Sequence, residues 1–404
     1  MNILDVTLIV VFVLAFGLLI SRPVRTSRGW SATVTPLASI IGSGFLVSVP
    51  LLASAIGVWS IPAVAGLTLL AYLIGGAIRY NIRHGEPLLE KAAPGHGIKS
   101  IETLSHLVLI GAYFISVSYY LVLLGAFGMK LLGLSDPLLG QVVASVIVAG
   151  LCAVGAWRGL SGVERAETYT VSANLAAIAA LLAALAIFGL TLPEEYSWGA
   201  AAKESHEIDW ETFRFLMGLL IIVQGFETTR FMGQIYDADT RIRSMRAAQL
   251  VSTAVYLVFF VLMIPLFPYF TSQGDVAGFI GVIGRVSDWL PYVVAAGAIA
   301  SQFSASVADS IGASGLITET TRKRINPNHA YILIGAVSLL IIWGTDVVSI
   351  VTLASRAFAL FYALQCLVAV LVARERGEGR RAFGFGCLAA LAGAVAILGI
   401  PAAG

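Results

Sequence analysis

Three short polar runs interrupt long apolar stretches of the sequence, and their side chains or backbone groups could bind a small charged molecule. The first is Gly42-Ser43-Gly44-Phe45, the second is Gly225-Phe226-Glu227, and the third extends from Ser301 to Gly312. Ionisable residues within a membrane-crossing segment are costly to bury and are functional-site hypotheses by default. Glu227 and Asp309, the carboxylates of the second and third runs, are therefore candidates for binding.

The first run has a glycine, a poor helix former, on each side of Ser43, near the middle of its apolar stretch. If the helix opens there, the backbone N–H groups of Ser43, Gly44 and Phe45 are free to bind an anion at the start of a half-helix. If the helix stays closed, the small residues instead form a face that packs closely against another helix. Both interpretations fit the spacing.

Each carboxylate also has a purely structural alternative. Glu227 precedes Arg230 by three residues, so the two side chains can neutralise each other across one helical turn. Asp309 can pair with Arg356 of another stretch at a similar depth. Alternatively, the oxygen atoms of Ser306 and Asp309 suit a small hard cation, or the serines only form hydrogen bonds between helices.

Aromatic residues of two stretches lie near the same depth: Tyr113, Tyr119, Tyr120, Phe358, Phe361 and Tyr362. Such residues either wall a cavity or, more commonly, pack in the interior. We select Tyr119 as the aromatic candidate for contact with a bound molecule.

The composition excludes most classes of soluble protein. The chain has 404 residues, of which 58% are hydrophobic and 12% are charged, whereas soluble domains carry roughly 25% charged residues. The net charge of +2 gives no basic surface suited to nucleic acid. The sequence has no metal, nucleotide or nucleophile motif of a known enzyme class. We therefore expect no enzymatic activity and no cofactor other than a bound Na⁺.

The long apolar stretches predict an all-α integral membrane protein. A helix needs about 20 apolar residues to cross the bilayer core, whereas the strands of a barrel would be short and alternating. Twelve stretches are long enough: 3–21, 33–57, 60–82, 101–133, 139–157, 165–190, 212–235, 247–270, 290–318, 329–345, 346–373 and 383–402.

The basic residues support this count and orient the spans. Most of the 25 Lys and Arg residues fall in the loops that follow the first, third, fifth, seventh, ninth and eleventh spans. The positive-inside rule places these loops in the cytoplasm and both termini outside. We expect a plasma membrane protein, of the bacterial inner membrane, with lipid around it.

The second and seventh spans are both interrupted by glycine and lie five spans apart. We predict that they are broken near Gly42–Gly44 and Gly225–Glu227 and face one cavity at the membrane midplane, because interrupted spans at matching positions of two halves indicate inverted repeats around a transport site. Because five is odd, the two halves have opposite orientations in the membrane. The predicted organisation is an extra N-terminal helix (1–30), a first five-helix repeat (31–190), an extracellular loop (191–210), a second, inverted repeat (211–374) and a peripheral C-terminal helix (375–404).

The second span, in which Gly42-Ser43-Gly44 is followed by Pro50 and Gly57, resembles the first core helix of the amino acid–polyamine–organocation (APC) transporters. Gly225-Phe226-Glu227 resembles their sixth core helix. The run Ser306-Val307-Ala308-Asp309-Ser310 and the extra leading helix resemble the sodium/solute symporters. Both groups have the LeuT-like fold, which implies a five-plus-five inverted repeat with two peripheral helices here.

The resemblance implies a secondary active transporter of a small amino-acid-like solute, working by alternating access and coupled to Na⁺ or H⁺. Its substrate site would contain Gly42, Ser43, Gly44, Phe45, Gly225, Phe226 and Glu227, to which we add Tyr119. A cation would be bound by the carbonyl groups of Ala38, Ile41 and Phe303 and by the side chains of Ser306, Asp309 and Ser310. Val307 stands where such relatives have a second hydroxyl, so either Asp309 or Ser310 supplies the missing oxygen or a proton replaces Na⁺ as the coupling ion.

A channel and a transporter-derived sensor are the competing interpretations. The sequence shows no short filter-like loop and no ring of repeated charge, which argues against a pore. We also expect no soluble output domain, which argues against a sensor. The identity of the solute, the coupling ion, the direction of transport and the oligomeric state stay open at this stage.

We expect a Gly404→Cys protein, with Cys152, Cys366 and Cys387 replaced by serine, to react with a membrane-impermeant maleimide on intact cells. The positive-inside rule places this terminus outside. A Ser161→Cys protein in the same background is the control, because the loop after the fifth span is predicted to be cytoplasmic. Labelling of Gly404→Cys only after permeabilisation would contradict the topology.

Overall fold

The computed structural model describes residues 3–91, 97–134, 136–158, 164–199, 208–233, 235–270 and 278–401. Within these ranges the chain forms helices, turns and loops and no β-strand, as predicted. The α-helices are α1 (Ile3–Ile20), α2 (Arg22–Arg25), α3 (Arg28–Ile56), α4 (Ser60–Tyr80), α5 (Glu86–Lys91), α6 (Gly97–Leu131), α7 (Pro137–Arg158), α8 (Glu164–Leu190), α9 (Trp210–Met217), α10 (Ala238–Met263), α11 (Gly278–Ile283), α12 (Leu290–Thr320), α13 (Pro327–Gly344), α14 (Val347–Glu375) and α15 (Gly379–Leu398).

The predicted spans correspond to these helices. All but the seventh span contain one long α-helix, from α1 in the first span to α15 in the twelfth. Nine helical runs of the described residues are long and apolar enough to cross a membrane, and one of them, the 64-residue run Arg28–Lys91, contains both α3 and α4. The prediction of about twelve spans is confirmed by this correspondence.

Short polar side chains start several helices by accepting a hydrogen bond from the backbone of the first turn. The acceptor and donor pairs are Ser27 with Trp30, Asp209 with Thr212, Asp237 with Thr240, Asn326 with His329 and Asp346 with Ser349. The N–H group of Thr240 also holds the pKa of the Asp237 carboxyl below its usual value. Such caps lie in the loops between spans and fix where each helix begins.

α6 lies at the centre of the bundle and packs against α7, α12, α13 and α14. Its segment from Val117 to Leu124 is fully buried. α3 packs against α10, α12 and the broken seventh span. α1 packs on α8 and α15 packs on α14, and the side chains of Leu14 and Leu18 point away from the bundle.

The seventh span is broken, as predicted. α9 is followed by two short 3-10 helices, Leu220–Val223 and Phe226–Met232. Between them Gly225 has a φ of +115°, in the left-handed region that glycine adopts without steric cost. A Cβ atom at this position would also overlap Ser39 of α3.

Side chains of the span itself and of neighbouring helices satisfy the backbone groups that this break releases. An unpaired backbone group in the hydrocarbon core would cost several kcal/mol, so these hydrogen bonds are a condition for the break. The pairs are the Ile221 N–H with Ser355 Oγ (2.9 Å), the Ile222 carbonyl with the Tyr256 hydroxyl, the Gly225 N–H with the Glu227 carboxylate (2.9 Å) and the Gly225 carbonyl with the Thr228 hydroxyl (2.8 Å).

The second span is not broken, because α3 is one uninterrupted helix. The predicted opening at Gly42–Gly44 is therefore wrong, and the alternative of small-residue packing is correct. A Cβ atom at Gly44 would overlap the Cα atom of Ile222, and one at Gly42 would come within 2.9 Å of Ser301 Oγ. The glycines let α3 approach the broken span and α12 closely, while the backbone N–H groups of the run are engaged within the helix.

We expect Gly44→Ala to destabilise the protein by about 1–3 kcal/mol, the usual cost of overpacking a filled interior. The added methyl group must displace the backbone of the seventh span at Ile222. Gly128→Ala is the matched control, since no atom lies within 4 Å of a Cβ at that position in α6 and alanine is the better helix former. Thermal unfolding in detergent measures both. Equal melting temperatures would contradict the close contact at Gly44.

Candidate functional site

A small cavity lies between α3, α8, α12 and the broken seventh span. Its volume is about 30 Å³, which is enough for a water molecule or an ion and too small for an amino acid. Hydroxyl groups, an amide and small side chains line it: Thr35, Ala38, Ser39, Val171, Asn174, Thr228, Ser301, Ser304, Ala305 and Ala308.

Polar atoms from several elements meet at this cavity. The Asn174 amide of α8 donates to Ser301 Oγ of α12 at 3.0 Å. Ser304 follows one turn later on α12 and is also buried. Thr228, whose hydroxyl donates to the Gly225 carbonyl, brings the break in the seventh span to the cavity wall. Hydroxyl and amide oxygens are ligands that hard cations prefer.

Of the residues predicted to bind a cation, Ala38 alone is among the cavity-lining residues, while the side chain of Ile41 belongs to the hydrophobic core. The side chain of Phe303 is 37% exposed and points out of the bundle. The hydroxyl of Ser306 donates to the Phe303 carbonyl (2.7 Å), and that of Ser310 donates to the Ser306 carbonyl (2.6 Å). Both serine hydroxyls are thus used within their own helix.

The face of α12 that lines the cavity is not the face that carries the predicted ligands, because of how the helix is rotated about its axis. Residues three and four apart share a helix face, and the face from Ser301 to Ala308 points to the cavity. Asp309 instead faces α6, where its carboxylate accepts a hydrogen bond. Ser301 and Ser304 lie in the polar run that the sequence singles out but were not among the predicted cation ligands, and Asn174 was not predicted. The spacing of small residues along that face was the available signal.

Glu227 and Asp309 are both buried, and neither has the partner that its structural alternative requires. Arg230 pairs with Glu102 of α6 at 2.6 Å. Arg356 donates to a backbone carbonyl of α15 at 2.8 Å. The two proposed ion pairs, one within the seventh span and one between Asp309 and Arg356, are therefore wrong.

Neutral donors hold both carboxylates. Glu227 Oε2 accepts from the Gly225 N–H (2.9 Å) and from the Tyr362 hydroxyl (2.7 Å). Glu227 Oε1 is buried and has no hydrogen-bond partner among the described residues. Asp309 accepts from the Ser116 hydroxyl of α6. Each carboxylate therefore retains acceptor capacity toward the interior.

The aromatic candidates are all buried. Phe226 stacks on Tyr362 of α14 with 5.1 Å between ring centroids, so it lies beside the carboxylate of the broken span. Phe45 packs instead against Phe259, with ring centroids 4.2 Å apart. The Tyr119 hydroxyl has no hydrogen-bond partner in the part of the chain that the structure describes.

A buried ion-pair network lies at one end of the bundle and was not predicted. Glu102 accepts from Arg230 of the broken span (2.6 Å) and from Gln365 of α14 (3.0 Å). His106 Nε2 lies 3.1 Å from the same carboxylate. Gln365 also accepts from Arg230 and from Asn81 (3.1 Å). Asn81 is the first residue of a π-helical turn that follows α4. The network ties the broken span to three other elements.

A family model described as "APC superfamily transporter" matches residues 22–399. The chain belongs to the APC superfamily of transporters. An uncharacterized protein of Aquifex aeolicus (strain VF5) is 36% identical to it over 371 residues, which cover 91% of this chain and 90% of that protein. The crystal structure of MhsT in complex with L-phenylalanine matches with a TM-score of 0.64 at 15% identity, covering 92% of this chain and 99% of that one.

The likeness to MhsT concerns the fold alone at this level of identity. It confirms the LeuT-like fold that the resemblance implied. An APC superfamily transporter of this fold is a membrane protein that binds a small-molecule solute.

We expect Glu102→Gln to destabilise this APC superfamily transporter by about 3–5 kcal/mol, because Arg230 would remain buried without its charged partner. Asp239→Asn is the matched control. Its partner is Arg83, and the two side chains are 66% and 52% exposed, so the loss should be about 0–1 kcal/mol. Chemical unfolding in detergent measures both. Equal losses would contradict the buried character of the Glu102 pair.

Proposed function

We propose that the chain is a secondary active transporter of a small amino-acid-like solute, which it moves by alternating access. The observation that carries this proposal is the break at Gly225, which lies against α3 and beside a buried carboxylate. Irregular backbone at membrane depth occurs where it is buried or lines a cavity, and in transporters such breaks mark the solute site. We place the protein in the bacterial inner membrane, with both termini outside.

The fold supports an amino-acid-like solute. MhsT, which shares this fold, was solved in complex with L-phenylalanine. Phe226, Glu227 and Tyr119 would contact the solute in our chain.

The small cavity supports coupling to Na⁺. The side chains of Asn174, Ser301 and Ser304 offer neutral oxygen atoms at a cavity of about 30 Å³, and oxygen ligands suit a hard cation. A proton is the alternative coupling ion, since Glu227 and Asp309 are buried groups that can carry one.

Uptake by proteoliposomes tests the function. The purified full-length protein is reconstituted, and uptake of a labelled amino-acid panel is measured with Na⁺ or choline outside, with and without a pH gradient. Saturable accumulation that depends on one ion gradient supports the proposal. Non-saturable downhill flux would indicate a channel, and no flux of any panel member would contradict the amino-acid-like solute.

If Na⁺ occupies the cavity, Ser301→Ala should raise the Na⁺ concentration for half-maximal uptake by about tenfold, because one ligand is lost. Ser310→Ala is the matched control. It is the same change on the same helix, but that hydroxyl donates to the Ser306 carbonyl within α12, so Na⁺ dependence should not change. Identical Na⁺ dependence in the two variants would contradict the assignment of the cavity.

A further inference from the structure

Two carboxylates of the interior face the aromatic residues between α6 and α14. Glu227 belongs to the broken span and is 0% exposed, and Asp309 belongs to α12 and is 4% exposed. Glu227 accepts from the Tyr362 hydroxyl (2.7 Å), and Asp309 accepts from Ser116, one helical turn after Tyr113. In the described part of the chain no cationic side chain interacts with either one, since Arg230 is taken by Glu102.

Two uncompensated charges at this depth would be strongly unfavourable. A buried carboxylate is neutralised by a proton or by a bound cation. Glu227 Oε1 is buried and accepts no hydrogen bond from the described residues. It is therefore an acceptor that is directed into the interior and is available to a donor from outside the chain.

The surroundings of the pair favour an organic cation. The titratable groups that face it are three tyrosines, Tyr113 and Tyr120 of α6 and Tyr362 of α14. Phe226 stacks on Tyr362, and Phe358 meets Tyr113 edge-on with 6.2 Å between ring centroids. Aromatic rings attract an ammonium group by cation–π interaction, and carboxylates accept its N–H groups in charge-assisted hydrogen bonds.

On the basis of the proposed transport function, we propose that Glu227 and Asp309 bind the ammonium group of the solute and give up one proton when it binds. Before binding, both carboxyl groups hold a proton and the site is neutral. On binding, the proton of one carboxyl group leaves to solvent, and the resulting carboxylate accepts N–H hydrogen bonds from the ammonium. The other stays protonated, so the site is neutral again. Proton and solute cation are thereby exchanged one for one, and the solute needs no carboxylate.

Isothermal titration calorimetry of the purified full-length protein tests this with two matched sets of probes. Phenethylamine, phenylalanine and hydrocinnamate differ only in their charged groups, and ethylamine, alanine and propionate are their small equivalents. We expect the compounds with an ammonium group to bind and to release about one proton each, read from the dependence of the heat on the ionisation enthalpy of the buffer. Hydrocinnamate and propionate should not bind. Amine affinity should rise with pH, because the proton competes.

Variants assign the effect to the two carboxylates. Asp309→Asn and Glu227→Gln should each weaken amine binding by about 30-fold or more, and the double variant, which has no carboxyl group left at the site, should abolish both amine binding and proton release. Tyr362→Phe removes one donor to Glu227 and should shift the pH at which binding changes, with the ring retained. Asp346→Asn is the matched control, because Asp346 only caps α14 and asparagine caps equally well.

Thermal unfolding checks that each variant is folded. If Asp309→Asn does not fold, Asp309→Glu keeps the ionisable group and should retain proton release. Loss of proton release in a folded Asp309→Glu protein would overturn the proposal. Tighter binding of hydrocinnamate than of phenethylamine, amine binding without proton release, release of Na⁺ instead, or no binding of any amine would also overturn it.

Proteoliposome uptake of the same probes separates this inference from the proposed function. Amines that bind with proton release but are not transported would contradict transport and leave the binding site standing. Transport of hydrocinnamate or propionate, with no binding of amines, would contradict the carboxylate site and leave transport standing. Uptake of amines into the lumen that acidifies the external medium supports both.

Discussion

The hydrogen bonds that close the broken backbone of the seventh span are the interaction on which the rest of this structure depends. The bilayer core offers no water to exposed N–H and C=O groups, so a helix can end there only when side chains take over. Ser355 of α14, Tyr256 of α10 and Glu227 of the span itself do so. Two neighbouring helices are thereby held at the break, and the bundle is organised around it.

Glu227 does more than the break requires. One acceptor atom is enough for the Gly225 N–H, and a neutral glutamine could supply it without the cost of burying an acid. The second oxygen of Glu227 accepts nothing within the described chain, and a second acid, Asp309, is buried against α6 with the neutral Ser116 hydroxyl as a hydrogen-bond donor. A role in closing the break alone would explain neither the unpaired oxygen of Glu227 nor the second buried acid.

Much of the fold could be predicted because hydropathy, loop charge and a glycine beside an acid are local signals. The break at Gly225 is of this kind. Gly42 and Gly44 are glycines within a span, as Gly225 is, but whether a glycine breaks a helix or lets it pack closely depends on the residue opposite. For Gly44 that residue is Ile222, which is remote in sequence. Arg230 likewise bypasses its nearest acid for Glu102, which is 128 residues away. The face of α12 that lines the cavity was missed for the same reason, since rotation about the axis is decided by neighbours.

Gln365 accepts hydrogen bonds from Arg230 and Asn81 and donates to Glu102 and Ser105. These partners come from the turn after α4, from α6 and from the broken span, while Gln365 itself belongs to α14. No element can leave alone without stranding a buried polar or charged group on the others. Because these elements share the same hydrogen-bonding groups, we expect the hydrogen bonds at this end of the bundle to break together rather than one by one.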